Sequence, residues 1–96
     1  MEIETFGNKE TEKFVKTGSL KKGCKWSNLA NIAQRKIDMI IFADSIDDLR
    51  IPPSNRLEKL SRSLSGFWSI RINDQFRVIF KCEQNKIFGI KITDYH

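Results

Sequence analysis

Through Ser65–Phe80, SGFWSIRINDQFRVIF, apolar and polar positions alternate with a period of two. Trp68, Ile70 and Ile72 fall on one side of an extended chain, and Phe67, Ser69, Arg71 and Asn73 on the other. Phe76, Val78 and Phe80 then alternate with Arg77, Ile79 and Lys81. Such a period in β-branched and aromatic residues predicts half-buried strands. Asn73-Asp74-Gln75 between them is turn chemistry, because Asn and Asp side chains bond their own backbone. A third alternating run, with Phe88, Ile90 and Ile92 on one face, follows a turn at Glu83–Lys86. Strands near 67–73, 76–82 and 87–93 therefore predict an antiparallel meander.

The first half has a different period. Leu29, Ile32, Ala33, Ile37, Ile40 and Ile41 recur at three- and four-residue spacing, predicting an amphipathic helix from a Ser27 cap to about Ala43. Lys36 sits at the edge of that stripe, its stem on apolar surface and its amine in solvent. A shorter helix over Lys9–Lys16 has Asn8 as cap, Glu10 and Glu12 in its first turn and Gly18 as stop. Ile3 among polar neighbours suits a short edge strand. Ile51-Pro52-Pro53 interrupts regular structure, and Arg56–Leu60 reads as another strand with Leu57 and Leu60 inward. The fold class expected is α+β, two N-terminal helices packed on a mainly antiparallel sheet, in a single domain over residues 1–96.

Charge changes this picture more than composition does. The net charge is +5. Residues 1–50 carry nine Lys/Arg against eight Asp/Glu, whereas residues 51–96 carry eight against four, so the excess lies on the predicted sheet. A basic sheet points to a polyanionic partner, nucleic acid first, with a protein that is merely basic as the bland alternative. No apolar run approaches the ~20 residues of a membrane span, and the acidic N-terminus is not read as a signal peptide. A cytoplasmic location is the expectation, with Cys24 and Cys82 as free thiols. One histidine and two cysteines give no metal motif, and no cofactor is expected.

G-x-S-x-G and phosphate-binding glycine loops are absent. The chemistry left is RNA cleavage through the ribose 2′-OH, which needs a proton acceptor, a cation for the phosphorane and an acid for the leaving oxygen. Asp94, Tyr95 and His96 offer the titratable and hydrogen-bonding groups, and Arg77 the cation. Each also has a plain structural use, and Lys21, Lys22 and Lys25 read as a solvated connection.

The motif GFWSIRINDQFRVIF, together with the terminal DYH, resembles the HigB toxins, the killer-protein branch of the RelE-like superfamily, over nearly the whole chain. The resemblance implies a RelE-like, microbial-ribonuclease-type fold. It implies the toxin of a type II toxin–antitoxin pair, which cuts mRNA in the ribosomal A site without a metal. It gives Arg77 the phosphate, His96 and Asp94 the acid–base work, and Tyr95 stacking or positioning. Lys59, Arg62, Arg71 and Asn73 are the RNA-binding candidates. Implied partners are the ribosome, mRNA and a HigA-like helix-turn-helix antitoxin, with operator DNA reached only through the antitoxin. Two departures stand out. Some members carry a His and a Lys before the G-[FYW]-W-S motif, where this chain has Glu58 and Ser61. A non-catalytic ribosome- or RNA-binding module, and an interaction domain for an acidic partner, remain the alternatives.

Overall fold

The computed structural model describes residues 1–94. Its elements are β1 (Glu2–Ile3), α1 (Lys9–Thr17), α2 (Ala30–Phe42), β2 (Glu58–Lys59), β3 (Trp68–Arg71), β4 (Phe76–Glu83) and β5 (Lys86–Asp94), with short 3₁₀ turns between them. One five-stranded sheet runs in the order β1-β5-β4-β3-β2. Strands β2 to β5 pair antiparallel, and β1 joins the edge parallel to β5. The architecture is α+β, with two helices and a mixed sheet.

The core lies between helices and sheet. Ala33, Ile37 and Ile40 of α2 meet Ile70, Val78, Phe80, Ile87, Ile90 and Ile92, all buried. Helix α1 begins as expected, with Asn8 Oδ1 accepting the Thr11 N–H at 2.9 Å, and ends at Gly18. Its thin apolar face is supplemented by Trp26, from a stretch with no periodic signal. The Trp26 ring meets Phe14 edge-on at 5.0 Å, and its Nε1 donates to Glu10 Oε1 at 3.1 Å. Thr11 is wholly buried, and its Oγ1 accepts the Ile92 N–H at 3.0 Å, tying α1 to β5. Cys24 and Cys82 are free thiols.

Four sequence expectations need correction. Ser27 does not cap the main helix; it opens a 3₁₀ turn, Ser27–Leu29, and α2 begins at Ala30 without a side-chain cap. Packing of the apolar stripe holds that end instead. The Arg56–Leu60 strand shrinks to Glu58–Lys59, because Arg56 is in the left-handed region (φ 46°) at the end of the Pro53–Asn55 turn. Lys36 does not simply extend into water: its amine donates to buried Asn55 Oδ1 at 2.7 Å.

The fourth correction concerns β5. Phe88 does not share the face of Ile90 and Ile92. Ile87 takes that place in the core, three residues before Ile90. Between the pairs Ile79↔Lys91 and Lys81↔Phe88, one residue of β4 opposes two of β5, which is a β-bulge. Gly89 supplies the left-handed backbone it requires (φ 63°). The Gly89 N–H is taken by Thr5 Oγ1 at 2.8 Å, and Gly7 approaches so closely that a Cβ there would lie 2.7 Å from the Gly89 carbonyl oxygen.

Candidate active site

Paired residues in neighbouring strands share a face of the sheet. The face away from the helices carries the rows Glu58–Ser69–Ile79–Lys91, Arg71–Arg77–Thr93, Lys81–Phe88 and Glu83–Lys86. Arg77, Lys81, Lys86 and Lys91 thus stand on one face of β4 and β5 with Glu83 among them, and Arg71 begins in the same row but also lines a groove beside α2. Ile79 is buried here too, since Arg77, Lys81 and Lys91 surround it and each is itself half-buried. Their aliphatic stems cover it while their charged ends reach outward.

Arg77 is the most fixed of these cations, its side chain only 13% exposed. Its Nη2 donates to the Arg56 carbonyl at 2.6 Å, and its Nη1 lies 3.5 Å from Glu58 Oε1. The Arg56 carbonyl is placed by a longer chain of contacts. Buried Asn55 donates to the Leu49 carbonyl at 3.1 Å and accepts from Lys36, so α2 anchors the turn that holds Arg77. Ser69 Oγ, on the same face and paired with Glu58, is buried with no hydrogen-bond partner among the described residues.

The other candidates fall in several places. Arg71 stands directly opposite Arg77 and donates to Asp74 Oδ1 at 2.5 Å. That hydrogen bond, and then the guanidinium's charge, hold the Asp74 carboxyl below its ordinary value. Asn73 shapes the turn, accepting the Gln75 and Phe76 N–H groups at 2.9 and 2.7 Å. Lys59 pairs with Trp68, on the helix side, its Nζ 5.8 Å from the ring centre. Arg62 is exposed in a 3₁₀ turn at φ 58°. Asp94 shares its row with Phe76, so the register puts it on the helix side, opposite to Arg77. There Gln75 Nε2 donates to its Oδ2 at 3.0 Å. Tyr95 and His96 lie outside the described residues.

Asp94 has neighbours that periodicity did not single out. It lines a cleft of about 370 Å³ with Lys21, Lys22, Lys25 and Trp26. The signal was three lysines within five residues, which reads as solvated loop until folding carries it to the end of β5. A second groove, of about 340 Å³, runs between α2 and the hairpin and gathers Arg35, Lys36 and Arg71. Burial lowers the Lys36 pKa there, with Arg35 and Arg71 pushing the same way. Among the described residues, no cluster of His, Cys, Asp and Glu is arranged to hold a metal ion.

The family model described as the RelE-like toxin of type II toxin-antitoxin system HigB matches residues 4–96. The chain belongs to this family of HigB-like toxins. A HigB-like toxin relative, Toxin HigB-1 of Vibrio cholerae, is 46% identical over 69 residues, covering 72% of this chain and 68% of that protein. A Haemophilus influenzae protein of unassigned function matches to the same extent. Among solved structures, YafQ of E. coli superimposes with a TM-score of 0.64 at 15% identity, covering 97% of this chain and 91% of that one. YoeB in the YoeB–YefM complex of Staphylococcus aureus gives 0.57 at 21%, covering 100% and 97%. Those two structures share the fold; the family assignment rests on the sequence matches.

Proposed function

We propose that this HigB-like toxin is an endoribonuclease that cuts mRNA in the ribosomal A site and so arrests translation. The observation that carries the reading is Arg77, a nearly buried guanidinium fixed on a basic sheet face by the Arg56 carbonyl and Glu58. A preorganised cation of this kind stabilises the charge of a phosphorane without reorganising. Arg71, Lys81 and Lys91 extend the positive face along which an RNA backbone would lie. In this reading His96 and Asp94 do acid–base work, Tyr95 positions or stacks on a base, and Lys59, Arg62, Arg71 and Asn73 contact RNA. No metal or cofactor takes part.

The remaining expectations belong to the same proposal. The chain acts as one cytoplasmic domain over 1–96 and is neutralised by a HigA-like helix-turn-helix antitoxin, through which alone it reaches operator DNA. The YoeB–YefM complex supports an antitoxin partner by similarity of fold. A second reading, a module that binds the ribosome without cutting, is favoured by Glu58, whose carboxylate lies 3.5 Å from Arg77 Nη1 and offsets the charge a phosphorane would need.

Incubation of a defined mRNA with purified protein, with and without translating ribosomes, tests both. Cuts mapped by primer extension only in the presence of ribosomes are expected, and their loss in Arg77→Ala. Ribosome binding without cuts would establish the second reading.

A further inference from the structure

Helix α2 carries a second stripe besides the one that enters the core. Ile32, Arg35, Lys36, Met39 and Phe42 recur at helical spacing, offset from buried Ala33, Ile37 and Ile40. This stripe forms one wall of the groove of about 340 Å³, with Met39, Pro52 and Ile72 as apolar lining and Arg35, Lys36 and Arg71 as cations. Among the described residues no acid lines it. Asp38 of α2 accepts Gln34 Nε2 instead, at 2.9 Å, and Asp74, the partner of Arg71, lies outside the lining. Phe42 stands one turn beyond Met39, and Ile51 is the neighbour of Pro52, so both border the groove. Phe42 is 81% exposed and Ile51 77%, the highest values for large apolar side chains among the described residues.

We propose that this groove and its Phe42–Ile51 border are the docking site for an acidic amphipathic segment of the neutralising antitoxin. The inference rests on the antitoxin partner of the reading above and assigns it a surface.

Charge and apolar exposure argue together for such an occupant. Three cations share the groove and repel one another; burial, and then Arg35 and Arg71, disfavour the charged form of Lys36. Carboxylates from a partner relieve that repulsion and fix the partner's register. An exposed apolar patch rimmed by charge marks a protein interface, and aromatic, Met and Arg side chains are those enriched in interface cores. An amphipathic helix lays its apolar side into such a groove while its acids meet the rim. An RNA backbone satisfies the cations but leaves Met39, Ile51 and Pro52 without an apolar partner. Helix α2 packs on the sheet face opposite to Lys81 and Lys91, so a segment seated here leaves that pair uncovered. It also reaches Lys36, which through Asn55 holds the turn whose Arg56 carbonyl fixes Arg77.

Calorimetric titration of the purified toxin with the antitoxin encoded beside it tests the assignment. Arg35→Glu and Phe42→Ser are each expected to weaken the complex at least about tenfold, as loss of an interface anchor does, and the Arg35→Glu loss to shrink as salt is raised. Both side chains are exposed, so thermal unfolding of the free variants should match wild type. Lys81→Gln with Lys91→Gln should leave the affinity as it is. Wild-type affinity in either Arg35→Glu or Phe42→Ser overturns the proposal. A fall in the Lys81 and Lys91 double variant instead places the partner on the basic face and also overturns it. So does an Arg35→Glu variant that keeps the antitoxin but loses single-stranded RNA in filter binding, which makes the groove an RNA surface. A wild-type toxin that forms no complex removes the antitoxin reading itself, and the docking site with it.

Discussion

The decisive contacts at the residue scale are charged side chains whose partners differ in burial. Asp74 is fully exposed, and its carboxyl is held low by Arg71. A depressed acid contributes stability above its unfolded value, near 4, and loses it as pH falls through its folded value. Asp74→Asn therefore lowers stability slightly at neutral pH, and the gap to wild type closes as the pH falls through the folded value of the acid. The same change frees Arg71 for phosphate, so the variant should bind single-stranded RNA more tightly at low salt, as read by filter binding. Lys36 runs the other way. Its folded pKa is lowered, so its charge opposes folding at neutral pH, and stability recovers as pH rises through the folded value toward the unfolded one. Lys36→Met removes that charge but leaves Asn55 Oδ1 buried without its donor. The orphaned acceptor costs about 1–3 kcal/mol. Charge relief at a partly exposed amine is worth less. Urea unfolding at pH 7 should show the variant destabilised, with the gap to wild type widening as the pH is raised.

Among the elements, β5 carries the most consequence, because its bulge sets which residues face the core and which face the basic surface. Gly89→Ala keeps ordinary contact distances, the nearest being Phe67 at 3.5 Å, so its cost is backbone conformation alone, about 1–2 kcal/mol. Thermal unfolding measures it. Gly7→Ala meets the Gly89 carbonyl oxygen instead and must push the Phe6–Ile90 bridge apart. Hydrogen exchange of the Gly7 amide, bonded to the Ile90 carbonyl at 2.8 Å, should accelerate. Trp26→Ala empties the space between α1 and the sheet and is expected to cost about 3–5 kcal/mol.

Across the whole molecule, the surplus of positive charge forms a face rather than a halo. Arg71, Arg77, Lys81 and Lys91 are brought together by register from three strands. Binding to single-stranded RNA should then weaken steeply with salt, by about 0.7 in the logarithmic slope for each phosphate contacted. Lys81→Gln with Lys91→Gln should lower that slope by roughly one to one and a half without changing the fold. An unchanged slope would place the RNA elsewhere. Among the described residues, no helix is long and apolar enough to cross a membrane.

The elements of this protein were legible because each is written in local chemistry. The period of two gave the hairpin, the three- and four-residue spacing gave α2, and Asn8 with Gly18 bounded α1. The meander followed from short turns that join neighbours. The cationic candidates were legible by residue type, and the family by a motif whose residues are mostly contiguous. Tertiary structure alone decided the arrangement of the site. Alternation cannot reveal a bulge, because one extra residue in β5 looks like ordinary sequence until β4 is laid beside it. Nor can spacing show that Asn55, nineteen residues from Lys36, is buried against α2 and holds the turn behind Arg77. The pairing of Glu58 with Arg77, and the separation of Arg77 from Asp94, are likewise facts of register. They depend on which strands meet and at which residue, and that is settled by the packing of the whole sheet against its helices.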